Sequence, residues 1–256
     1  MQLTRPRLLA GRALPLAAAC VCLLAVGAAF GARAADGASV KVFGAAAPAT
    51  ATCPVGGGSD QCFVEAKVTG FQSRIAGKRN PFVAPWKGRV VAWSVKLGRP
   101  TKKQNGCLSK GCVVAGNRFP GFGGPASARL SILRPERKNP KRFKLISESP
   151  KMELTNYFGQ TVTFQLAKSL AVSRRDVVAL TIPTWAPLFA GSLDSGSVWQ
   201  ASRKPTRAKG ACTKQGSANV SAGSSFEKVG GRRVFGCSYK SNRLLYSATV
   251  VRKPEF

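Results

Sequence analysis

The sequence predicts an all-β chain, a single antiparallel β-sandwich of jelly-roll-like form with about eight strands and long disulfide-stapled loops. Three observations carry that expectation. Short segments alternate apolar and polar residues with a period of two, the pattern of half-buried antiparallel strands. Turn-rich spacers separate them, with no convincing helix and no strand–helix alternation of the kind that builds a parallel sheet. Behind an N-terminal leader, 222 residues remain, enough for one substantial core. A barrel is the alternative architecture.

The elements follow in order. "FVEAKVTGF" places Val64, Ala66 and Val68 on one face, and "RVVAWSVKL" sets Val91, Trp93, Val95 and Leu97 against Val90, Ala92, Ser94 and Lys96. A long excursion from Leu97 to Ser127 holds "CLSKGC" and is too long for a plain hairpin. "SARLSILRP" turns Ala128, Leu130 and Ile132 inward, and after the basic turn "PERKNPK" the segment "RFKLISES" offers Phe143 and Leu145. "QTVTFQLAKSL" alternates most cleanly, with Val162, Phe164 and Leu166 against Thr161, Thr163 and Gln165. "DVVALTIP", "SGSVWQAS" and "RLLYSATVV" complete the set. The sixth of these runs on into "TWAPLFAG", where Pro183 and Pro187 interrupt the ladder although Trp185, Leu188 and Phe189 are apolar. Such a segment is either a lid over the core or an exposed grip.

The N-terminus reads as a secretory signal peptide over residues 1–34. Arg5, Arg7 and Arg12 precede the apolar run Ala13 to Phe30, and "ARA" supplies small residues for cleavage after Ala34. A retained transmembrane helix and a lipid anchor at Cys20 are the alternatives. Residues 35–61 read as a flexible lead-in with one possible short strand at "VKVF", and 62–256 as the sandwich. Cleavage leaves no membrane span and a secreted or cell-envelope-associated protein. Nothing specifies the oligomeric state.

Six cysteines follow the leader: Cys53, Cys62, Cys107, Cys112, Cys212 and Cys237. An even count in an exported chain argues for disulfides, and three local pairings stand out: 53–62, 107–112 and 212–237. Zinc is the competing reading of "CLSKGC". The chain has no histidine and a cationic surround, which disfavours it, so no metal or other cofactor is expected.

The missing histidine also removes Ser-His-Asp and Cys-His nucleophile systems. No P-loop or G-x-S-x-G elbow is present. A glycosidase needs only two carboxylates, and Asp176 with Asp194 is the pair to consider. A non-catalytic binding or cell-envelope accessory domain fits the sequence better. A structural or protein-interaction domain is the alternative.

Losing the leader lowers the formal net charge from +30 to +26, which favours anionic partners. The basic-patch candidates are Arg134, Arg137, Lys138, Lys141, Arg142, Arg174, Arg175, Arg203, Lys204 and Arg207. If their loops share one end of the sandwich they form a patch for a cell-wall polyanion or polysaccharide. Nucleic acid is disfavoured, because the basic loops carry few stacking aromatics. The carbohydrate-binding candidates are Trp185, Phe189, Asp194 and Trp199, aromatic faces beside hydroxyls and a carboxylate.

The run "GRVVAWSVKL…SARLSILRP…FQLAKSLAVSRRDVVALTIPTW…RLLYSATV" resembles uncharacterised exported β-sandwich proteins of high-GC Gram-positive bacteria. In these a Trp-bearing strand precedes an "LxVLRP"-like strand and a "GDxVALxxP"-like turn and strand. The resemblance covers Cys62 to Val251 and is similar at the level of architecture to jelly-roll carbohydrate-binding modules. It implies an extracytoplasmic sandwich and no catalytic residue. The chain departs from the pattern at Arg175, where Gly is common before the acid Asp176.

Overall fold

All eight strands expected from alternation form. The structure, a computed structural model, describes residues 39–45, 49–53, 62–114, 116–205, 212, 225–226 and 228–252. Residues 1–34, expected as a signal peptide, and Arg207 lie outside the described residues. In chain order the elements begin with β1 (Val40–Phe43), β2 (Glu65–Ile75), β3 (Lys78–Arg79), β4 (Gly88–Lys96), α1 (Lys102–Lys110), β5 (Cys112–Val114) and β6 (Asn117–Phe119). Next come β7 (Ser127–Pro135), β8 (Arg142–Glu148), β9 (Met152–Glu153), β10 (Thr161–Val172), β11 (Val177–Ala186) and β12 (Phe189–Ala190). The chain closes with β13 (Val198–Ala201), β14 (Arg232–Val234), β15 (Cys237–Lys240), β16 (Arg243–Leu244) and β17 (Tyr246–Arg252).

Two antiparallel sheets form the sandwich. The smaller has the order β1-β17-β4-β10, and the larger β14-β8-β7-β11-β2-β13-β15, with β3 and β9 as short additions. The "VKVF" of the lead-in is β1, paired along β17 from Val40↔Val251 to Phe43↔Ala248. Between the sheets lie Trp93, Phe164, Val68, Leu130, Ile132, Leu180 and Ile182, all buried.

The centre of the larger sheet is covered on both faces. Thr69 of β2 faces Thr181 of β11, Ser131 of β7 lies diagonally from Thr181 on the same face, and their hydroxyls bond across at 2.8 and 2.7 Å. Phe226 closes over this ladder, its N–H donating to Thr69 Oγ1 at 3.3 Å and its carbonyl accepting from Arg129 Nη2 at 2.8 Å. Phe71, Phe143 and Phe235 cluster with ring centroids 4.9–5.4 Å apart. Val177 through Ile182 are therefore all buried, where alternation alone leaves half of them wet.

All three cysteine pairings form as expected: Cys53–Cys62, Cys107–Cys112 and Cys212–Cys237. The helix corrects the sequence reading. Thr101 caps α1 by accepting from Gln104 N at 3.2 Å, while Gln104 Oε1 accepts from Thr101 N at 2.8 Å. That reciprocal pair satisfies two orphan donors and lets a polar nine-residue helix form without burying a residue. Among the described residues, no helix is long and apolar enough to cross a membrane.

Candidate functional site

The first question is whether "PTWAPLFAG" is lid or grip. It is a lid. Pro183 has no N–H to give, and the β11–β2 ladder shifts register there by one residue, from Ile182↔Val68 to Trp185↔Ala66. The strand thus bulges and continues rather than ending. Trp185 is fully buried, donates from Nε1 to the Gly124 carbonyl at 3.1 Å and packs near Phe158, centroids 5.8 Å apart. Leu188 is buried, and Phe189 enters β12 against Leu244 of β16. Trp199 is buried too, stacked on Tyr239 at 4.8 Å. Of the four carbohydrate-binding candidates only Asp194 is exposed, and it accepts from Ser197 Oγ at 3.3 Å. The aromatic platform expected from Trp185, Phe189 and Trp199 does not exist, because the core needs those rings.

The carboxylate pair fares no better. Asp176 is buried, and both its oxygens are taken: Arg134 Nε donates to Oδ1 at 2.7 Å, and Arg134 Nη2 and Ser173 N donate to Oδ2 at 2.8 Å each. Donating these hydrogen bonds to the Asp176 carboxylate raises the Arg134 pKa above its ordinary value. This carboxylate holds a turn and has no open face for a substrate.

That turn organises the surface around it. Asp176 N donates to Ser173 O at 3.0 Å, and Arg175, third of the four residues, has φ +74°. A positive φ at that position marks a type II turn, where glycine is the favoured residue. Because the turn carries the chain from β10 in the smaller sheet to β11 in the larger, it fixes which ends of the two sheets coincide. Val177 pairs with Leu133, so the β7–β8 turn lies at this end. The β2–β11 register brings Ile75 and the β2–β3 hairpin here as well, and Gly88 of β4 pairs with Val172.

Three basic segments therefore share one end. The β7–β8 turn presents Arg137, Lys138 and Lys141, the crossing turn Arg174 and Arg175, and the β2–β3 hairpin Arg74, Lys78 and Arg79, all exposed. Among the described residues none of these eight has a carboxylate within ion-pair distance. Of the acids nearby, Glu136 pairs with Arg232 at 2.8 Å and Arg142 at 3.7 Å and Asp176 with Arg134, while exposed Asp194 lies beside the hairpin at Gly77 outside ion-pair distance of the eight. Arg134 and Arg142 thus belong to the patch's frame more than to its free charge.

Two candidates fall away from the patch. Arg203 is buried at the other end of β2, with Nη2 2.8 Å from Glu65 Oε2, Nη1 3.2 Å from Tyr239 Oη, and its guanidinium over the Trp199 and Tyr239 rings. Burial pulls its pKa down, but Glu65 and Tyr239 outweigh that and leave it raised. Lys204 follows it, exposed, at that same end. "RPTKK" also belongs there, at the start of α1. Sequence reasoning missed the hairpin cations, because the short "IAGKR" run carries no charge block. The signal was Ala76-Gly77, a tight turn whose two residues both have positive φ.

Among the described residues no three His, Cys, Asp or Glu side chains gather to hold a metal. No protein-family model, curated protein or solved structure matches the chain.

Proposed function

We propose that this is an exported, non-catalytic binding domain that holds an anionic cell-surface polymer against the basic end of its sandwich. The single observation that carries the reading is the convergence of the β7–β8 turn, the crossing turn and the β2–β3 hairpin at one end, with eight exposed cations of which none is in an ion pair among the described residues. Such an array suits repeating phosphates or carboxylates, whose condensed counterions are released on binding. Neutral sugar rings need an exposed aromatic face, and the buried Trp185 and Trp199 leave that role empty. The three disulfides favour an oxidising compartment outside the cytoplasm.

The test is binding of the disulfide-intact protein to polyphosphate, polygalacturonate and neutral dextran across a salt series. Affinity for both polyanions should fall steeply with salt, and dextran should not bind. Arg137→Glu/Lys138→Glu/Arg174→Glu should weaken binding at least tenfold, while Lys102→Glu/Lys103→Glu at the opposite end should change it little. Equal losses from the two variants would reduce the effect to diffuse charge and end the reading.

A further inference from the structure

The two sheets do not close along the β8 and β10 side. On β10 the pairing jumps from Gln165↔Ala92 to Leu170↔Val90, so residues 166–169 bulge out of the ladder. Arg89 pins the bulge, with Nε donating to Ser169 Oγ at 2.6 Å and Nη2 to Ser169 O at 2.8 Å. Opposite, β8 carries its own register shift against β7 at Ile132/Leu133. Between the displaced strands opens a cleft of about 870 Å³, within the size range of small-molecule sites.

Its wall is mostly hydrocarbon and ring: Trp93, Phe164, Leu166 and Leu170 from the smaller sheet, Ile146 and Met152 from the larger. Trp93 and Phe164 are packed on each other with centroids 4.8 Å apart and nearly closed off, so they form the floor, and the partly exposed Leu166, Ile146 and Met152 form the accessible wall. Three polar atoms of lining residues, Trp93 Nε1, Ser147 Oγ and Glu148 Oε2, have no hydrogen-bond partner among the described residues, and of these Glu148 Oε2 has an ion-pair partner. Trp93 is only 1 % exposed, and native interiors rarely leave such a donor unspent. The charge of the lining is also one-sided. Glu148, its one acid, pairs with Arg129 at 3.0 Å, whereas exposed Arg89 and Lys168 have no described carboxylate partner.

We propose that this cleft binds a single-chain amphiphile, its apolar chain on the partly exposed Leu166, Ile146 and Met152 and its anionic head beside Lys168 and Arg89. The hydrocarbon wall selects the chain, the cationic rim selects the sign of the head, and the pinned bulge keeps the opening preformed. The site is separate from the polymer-binding turns and does not depend on that reading.

The test is displacement of cis-parinaric acid from the disulfide-intact protein by octanoate, decanoate, decyl phosphate and decyltrimethylammonium, each below its micelle concentration. Decanoate and decyl phosphate should compete, with affinity rising about fourfold per added methylene as buried hydrocarbon requires. Decyltrimethylammonium should compete at least tenfold more weakly. Leu166→Asp, on the partly exposed bulge, should abolish displacement while near-UV circular dichroism stays native, and Lys168→Glu should weaken decanoate severalfold. Arg137→Glu/Lys138→Glu/Arg174→Glu should leave it unchanged. Binding without chain-length dependence, equal binding of the cationic amphiphile, an indifferent Leu166→Asp, or sensitivity to the turn variant would each overturn the proposal.

Discussion

Replacing Trp185 tests the lid directly. The side chain is fully buried, its Nε1 donates to Gly124 O at 3.1 Å, and its ring packs near Phe158. Trp185→Phe keeps an aromatic ring there but loses the hydrogen bond, worth about 1 kcal/mol net. It also leaves roughly 40 Å³ unfilled, which at about 24 cal/mol per Å³ adds about 1 kcal/mol. The expected cost is therefore roughly 2 kcal/mol. Trp185→Ala removes the ring as well, and the total rises to roughly 4–6 kcal/mol. With a urea m-value of about 2 kcal/mol/M, the midpoints should fall by roughly 1 M and 2–3 M. Urea unfolding followed by far-UV circular dichroism reads both shifts. Polyanion affinity of the Phe variant, measured well below its midpoint, should match wild type. A Trp185→Ala variant within about 0.5 kcal/mol of wild type, as for surface substitutions, would refute the burial argument. Lost ligand binding at unchanged stability would restore the loop as a grip.

Three further outcomes follow from particular residues. Arg175 holds a positive φ that costs a non-glycine residue about 1 kcal/mol, partly offset by glycine's greater freedom when unfolded, so Arg175→Gly should keep or slightly raise the melting temperature while weakening polyanion binding; a clear loss of stability would contradict the turn assignment. Arg203→Met should destabilise by about 3 kcal/mol, because it strands buried Glu65, and adding Glu65→Leu should recover part of that in denaturant titrations; an additive double variant would deny the coupling. Burial raises the Glu148 pKa above its ordinary 4.5, against the lowering pull of Arg129. The folded state then holds the proton more tightly than the unfolded chain, so this group favours folding below pH 4.5 and loses that contribution as pH rises through the folded value. Glu148→Gln should flatten the fall in melting temperature from acid toward neutral pH; an unchanged slope would show that burial does not dominate at this carboxyl.

The strands were legible because alternation is a local consequence of having one wet face, and each of the eight expected segments carries it. Their short companions were not. β3 and β9 have two residues each and form only along the longer β2 and β7, and the equally short β12 and β16 form only because distant segments of the chain meet as a pair. The helix was hidden for a different reason. Its signature is the Thr101–Gln104 box and not an apolar stripe, since it has no fully buried residue and only Leu108 as a hydrophobic partly packed against the core. Of the candidate site residues, the turn cations Arg137, Lys138, Lys141, Arg174 and Arg175 sit together as one patch. Arg203, in a segment that reads as equally basic, is a buried partner of Glu65 at the other end. Nothing local separates the two cases.

What the sequence alone determined is what depends on neighbours within a few residues or on composition: most strand faces (a bulge on β4 buries Val90 in place of the expected Val91), the short-range cysteine pairs, the excess of positive charge and the absence of any histidine-based chemistry. What only the tertiary structure decided rests on contacts far apart along the chain. The hydroxyl ladder joins residues 112 positions apart, and the Arg134–Asp176 clamp spans 42. Those registers place three basic turns at one end, bury Trp185 and Trp199, and leave the cleft between β8 and β10 open. A period of two reports that a residue faces inward. It carries no information about which distant strand covers it, because that choice belongs to the summed packing of whole sheets.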